Sequence, residues 1–81
     1  MNLFVVGLPR SIDNDGLREL LEEYGSVLSS KVVRDHNSGE SRGFGFVRMS
    51  NQEEGQKAIN ELTGVSIDGN SLTIKEARER E

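Results

Sequence analysis

The sequence has no cysteine and no tryptophan, and only one proline, Pro9, one histidine, His36, and one tyrosine, Tyr24. Without cysteine there is neither a disulfide staple nor a thiolate metal site. His36 has no second histidine or cysteine to make a metal set or a nucleophile–base pair, and its polar neighbours mark it as a solvated loop residue. No apolar run approaches the roughly 20 residues of a membrane span. Met1-Asn2-Leu3-Phe4 enters an apolar segment with no basic stretch before it, so no signal peptide is expected. These absences lead to the expectation of a soluble, cytoplasmic monomer without membrane, metal or small-molecule cofactor. Eighty-one residues suit one domain with a modest core.

The apolar residues that are present fall into short, regular patterns. Residues 3–8 (LFVVGL) make a strand that Pro9 ends by removing a ladder donor. Asp13 is a candidate N-cap for a helix carrying Leu17, Leu20, Leu21 and Tyr24 at spacings of three and four. Gly25 stands where a left-handed C-terminal cap is expected. Gly16, inside the first turn, should cost that helix about 1 kcal/mol against alanine. Residues 27–34 read as a second strand, 36–41 as a flexible polar hairpin loop, and 42–49 as a third strand. Ser50 with Glu53 forms a capping-box signature for a second helix, with Ala58, Ile59 and Leu62 inward and Gly64 past its end. Residues 65–70 suggest a small hairpin around Asp68-Gly69, and 71–76 a last strand in which Leu72 and Ile74 alternate with Thr73 and Lys75. Residues 77–81 are a charged tail. The order βαββαβ predicts an α+β, ferredoxin-like fold, a four-stranded antiparallel sheet with two helices on one face. Nothing remains in the chain to cover the other face.

Successive strand residues point to opposite faces, which sorts the third strand into two sets. With Val47 and Met49 in the core, Phe44, Phe46 and Arg48 point to the uncovered side. Gly43 and Gly45 take the core parity, where small residues let the helices approach. In the first strand Leu3 and Val5 go inward, leaving Phe4 and Val6 outside. All three phenylalanines therefore lie on the open face, each forgoing about 1.5–3 kcal/mol of burial. The inverted register would bury Arg42 and Arg48 unpaired, which is expensive. An apolar patch of this kind marks an interaction site, and flat rings beside positive charge suit stacked bases.

The net charge of −4 argues against a polyanion partner until the charges are placed. The two helices with their N-caps carry eight acidic and two basic residues, whereas the rest of the chain carries eight basic and six acidic. By parity Lys31, Arg42, Arg48 and Lys75 belong to the open face or its rim. Screening over about 8–10 Å lets that local face outweigh the total, although few phosphate contacts are available and affinity should be modest.

Residues 42–49 (RGFGFVRM) resemble the octamer of the RNA recognition motif (RRM) family at every position but the last, and residues 3–8 resemble its shorter hexamer. The likeness extends over residues 2–78. It implies a domain at 1–78 followed by a short tail at 79–81, binding single-stranded RNA, with single-stranded DNA left open and with no catalysis. It also implies that Phe4 and Phe46 stack bases, Phe44 meets a sugar, and Arg42 meets phosphate. Lys31, Arg48, Lys75 and Arg78 would add contacts. Met49 replaces the family's final aromatic, and Val6-Gly7 stands where Gly-Asn is commoner. A chain of one such domain is similar to the single-domain RNA-binding proteins of bacteria. Two other readings remain: a protein-docking domain using the same face, and a small hydrolase of this fold, for which no catalytic constellation is present.

Overall fold

Alternation in the strands and helical spacing in between produce β1 (Asn2–Val6), α1 (Asn14–Glu22), β2 (Val27–Arg34), β3 (Ser41–Met49) and α2 (Gln52–Leu62). A two-residue pair, β4 (Ser66–Ile67) and β5 (Asn70–Ser71), and then β6 (Thr73–Ala77) complete the chain. This computed structural model describes residues 1–77; Arg78 and the expected tail at 79–81 lie outside the described residues. The main sheet has the antiparallel order β2-β3-β1-β6, and β4 and β5 form a separate hairpin.

Leu3 pairs with Val47, and Val5 stands between Gly45 and Ile74. These positions, with Met49, Leu72, Val27 and Val32, form the core, closed by Leu17 and Leu21 of α1 and Ala58 and Leu62 of α2. Leu3, Val5, Leu17, Leu21 and Met49 are wholly buried. The thioether of Met49 thus packs inward, as its parity requires.

Each outer strand is also held by a residue of a helix end. The Val32 N–H donates to Asn14 Oδ1 at 2.7 Å, and the Ser30 hydroxyl donates to the Asn14 carbonyl at 2.8 Å. On the far side the Thr63 hydroxyl accepts from the Ile74 N–H at 3.3 Å and donates to its carbonyl at 3.4 Å. Backbone groups on both sheet edges are thereby withheld from strand pairing with other chains.

Local signals correct the sequence reading in several places. Asp13 does cap α1, accepting from Gly16 N at 2.8 Å, but the cap of α2 is Asn51 rather than Ser50. Asn51 Oδ1 accepts from both Glu53 N and Glu54 N, and its amide side chain does for two N–H groups what the capping box would have done with two residues. Gly25 is not a left-handed cap: α1 ends at Glu23 in ordinary helical geometry, and the glycine instead makes room for the Glu54 side chain. Gly43 does not admit a helix either. Its φ of 81° turns its carbonyl to accept from Gly7 N and Leu8 N at 3.0 and 2.8 Å, which ends β1 at Val6, not Leu8. The last strand begins at Thr73, while Ser71 is taken by the small hairpin, whose turn at Asp68 and Gly69 has φ of 50° and 83°.

Gly45 does what was expected of it. A Cβ there would lie 2.5 Å from the Lys31 carbonyl oxygen and 3.0 Å from Leu17 Cδ2. Gly45→Ala is therefore expected to destabilise by about 1–3 kcal/mol, outweighing the about 0.4–1 kcal/mol that alanine gains through the unfolded chain. Thermal unfolding should show a melting temperature lower by about 4–8 °C for each kcal/mol lost.

Candidate nucleic-acid interface

Antiparallel partners directly opposite one another share a face, so the strand register builds the uncovered surface row by row. In the middle row Lys31 pairs with Phe46, Phe46 with Phe4, and Phe4 with Lys75. Two rings at the centre of the sheet are thus flanked by an ammonium on each outer strand. On one side of them lies a row of Ser29, Arg48, Asn2 and Ala77, and on the other a row of Phe44, Val6 and Thr73.

The three rings touch. Phe4 meets Phe46 at a centroid separation of 5.2 Å and an interplanar angle of 37°, and meets Phe44 edge-on at 5.6 Å and 62°. Mutual contact leaves Phe4 and Phe44 half-buried, while Phe46 stays 46% exposed. The Arg42 guanidinium lies over Phe44, 5.7 Å from its centroid, where a cation–π attraction holds it at the edge of the cluster. Lys31, Arg42, Arg48 and Lys75 are all exposed.

The structure therefore brings seven of the eight expected residues, Phe4, Lys31, Arg42, Phe44, Phe46, Arg48 and Lys75, onto one continuous surface. The eighth, Arg78, lies outside the described residues. Sequence reasoning left Asn2, Val6 and Leu28 out of that set. Alternation alone already assigned Val6 to this face and, extended by two residues, would have added Asn2. Leu28 carries no such signal. It is the extra residue of a bulge, since Val27 pairs with Met49 and Ser29 with Arg48, and it is left 57% exposed.

The β2–β3 hairpin at the rim has its own hydrogen bonds. The Asp35 carboxylate accepts from Asn37 N at 2.8 Å and Ser38 N at 3.1 Å, and the Asp35 N–H and carbonyl bond to Glu40 and Gly39. Arg34 donates to the Gly39 carbonyl at 3.1 Å, and Arg10 pairs with Glu40 at 3.6 Å across exposed surface. The Ser38 and Asn37 amides, helped by the charge of Arg42, hold Asp35 below the usual carboxylate value of 3.8. His36 is an exposed member of this loop, and among the described residues no three His, Asp or Glu side chains are placed to hold a metal ion. No helix among them is long and apolar enough to cross a membrane.

Comparison with known proteins points the same way as the geometry. The sequence model of the RNA recognition motif matches residues 3–73. The chain is 42% identical over 78 residues to the 29 kDa chloroplastic ribonucleoprotein of Arabidopsis thaliana, an alignment covering 96% of this chain and 23% of that protein. It spans only 23–34% of the length of the chloroplast ribonucleoproteins it matches. A crystal structure of RNA-binding protein PG1 superposes with a TM-score of 0.94 at 41% identity, covering 100% of this chain and 98% of that one. The Sex-lethal protein in its RNA complex gives a TM-score of 0.88 at 38% identity, over 94% of this chain and 47% of that one.

The lowered carboxyl of Asp35 makes the rim loop sensitive to acid. A depressed folded value means that the stabilisation is fully present above the ordinary value of 3.8 and is lost as pH falls through the lowered one. In an NMR pH titration the Asn37 and Ser38 amide resonances should move together with a midpoint below 3.8, and Asp35→Asn should abolish that shared transition.

Proposed function

The chain belongs to the RNA recognition motif family, and from that premise we propose that it binds single-stranded RNA on the open face of its main sheet. The observation that carries this reading is the uncovered three-ring cluster with cationic side chains around it. Phe4 and Phe46 present π-faces on which two successive bases stack, Phe44 packs against a sugar, and Arg42 meets the phosphate backbone. Lys31, Arg48 and Lys75 contribute further backbone or base-edge contacts. Each exposed ring gains from a base the burial that the fold denies it, about 1–3 kcal/mol per base.

The net charge of −4 is the ground for the protein-docking alternative, and the layout of the charges weakens it. Acidic residues gather on and beside the helices, whereas the aromatic face is bordered by lysine and arginine. The domain acts by binding and not by catalysis in this proposal, as a monomer, with single-stranded DNA a further candidate ligand on the same rings. A cytoplasmic, bacterial setting remains part of the proposal, drawn from the likeness to single-domain bacterial proteins; the ribonucleoproteins matched are named as chloroplastic.

Fluorescence anisotropy with short labelled RNA tests the mechanism. Phe44→Ala combined with Phe46→Ala should weaken binding at least about fivefold, the lower end expected for one lost stacking contact. Unchanged affinity in a variant with an intact circular-dichroism spectrum would overturn the stacking mechanism. Two or three phosphate contacts should give a slope of log K against log salt of about −1.4 to −2.1, shallower than for strongly basic domains.

A further inference from the structure

Every charged side chain along the rows of the open face is a hydrogen-bond donor. Lys31, Arg48 and Lys75 contribute ammonium and guanidinium groups, Arg42 adds another at the edge over Phe44, and no aspartate or glutamate stands among the residues paired across those rows. The side-chain acceptors there are the Asn2 amide oxygen and the hydroxyls of Ser29 and Thr73, none of them in the middle row with the two stacking rings. That row reads Lys31, Phe46, Phe4, Lys75, so each ring has one lysine directly at its outer flank. Among the described residues neither lysine belongs to an ion pair.

We propose that Lys31 and Lys75 read base edges and make the platform selective for keto bases, guanine and uracil, over amino bases, adenine and cytosine. The proposal rests on the stacking mode set out above. Neighbouring strands stand about 4.8 Å apart, so a base lying on either ring projects its edge to within reach of the adjacent ammonium. An ammonium offers three donors and no acceptor. Guanine O6 and uracil O4 accept from it. The exocyclic amines of adenine and cytosine occupy the corresponding edge position and are themselves donors, for which the usual side-chain partners are acceptors, Asn or Gln for adenine and Asp or Glu for cytosine. The middle row has none. Lysines acting only on phosphate would be indifferent to the base, so the two roles are separable by experiment.

The test compares two labelled RNA octamers, (UG)4 and (AC)4, each alternating purine and pyrimidine so that intrinsic stacking is balanced. The intact chain should bind (UG)4 about five- to tenfold more tightly, the effect of roughly one net hydrogen bond. Lys31→Met combined with Lys75→Met should bring that ratio close to one, mainly by weakening (UG)4; both positions are exposed, and circular dichroism checks that the fold is retained. Equal affinity of the intact chain for the two octamers overturns base reading. So does a double variant that loses affinity for both by the same factor with a shallower salt slope, since that is the behaviour of phosphate contacts. Both of those results leave the stacking mode standing. If neither octamer binds and neither shifts the sheet-face resonances, the stacking mode fails, and the base-reading proposal falls with it.

Discussion

The pairing of β1 with β3 is the constraint on which the rest of this molecule depends. With Leu3 opposite Val47 and Phe4 opposite Phe46, one face of the two central strands is aliphatic and the other aromatic. A slip of one residue would exchange the two sets, placing phenylalanine against the helices and leucine and valine in water. The structure fixes the register at both ends. Met1 and Met49 exchange backbone hydrogen bonds, each of 2.8 Å, at one end, and the Gly43 carbonyl collects two N–H groups at the other. Between these, Gly45 leaves a gap in the aliphatic face that Leu17 of α1 approaches closely. The glycine that lets the helix dock therefore lies between the two phenylalanines that point the other way.

The outer strands depend on that central pair and in turn complete the surface. β2 and β6 each bring a lysine into line with the rings, and they hold position because Asn14 and Thr63 engage their outward backbone groups. These two residues lie at helix ends, so the layer that buries the core also restrains the edges. Packing on the hidden face thus sets the spacing of charged groups on the exposed one. That coupling is a link from core energetics to the chemistry of the binding surface.

Much of this could be read from the sequence, for physical reasons that differ by element. β2 was legible to the residue, since its polar loop and glycine boundaries leave little choice. The face assignment of β3 followed from the cost of burying Arg42 and Arg48, a term large enough to decide alone. The signals that misled were those shared by two neighbours. Ser50 and Asn51 are both good N-caps, and only the backbone path shows that Asn51 reaches two N–H groups. Gly25 and Gly43 were each read by the commonest use of glycine in their position, whereas the structure uses one for side-chain clearance and the other for a positive φ. The bulge that exposes Leu28 has no local signature at all, because it arises from how β2 meets β3.

An uncovered aromatic sheet face also invites self-association, and the same residues that suit a nucleic acid oppose it. Two such faces brought together would set the ammonium groups of Lys31 and Lys75 against the cationic groups of the other copy, with no carboxylate in the rows to neutralise them. Like charges forced together cost more as water is excluded, so repulsion grows as the rings approach. The single-stranded nucleic acid proposed as ligand would remove that obstacle, since its phosphates would neutralise the cations while its bases covered the rings. The net charge of −4 is then compatible with a polyanion ligand, because it acts on orientation as well as strength. In the proposed binding mode it would set the side from which the strand approaches and leave the grip to stacking.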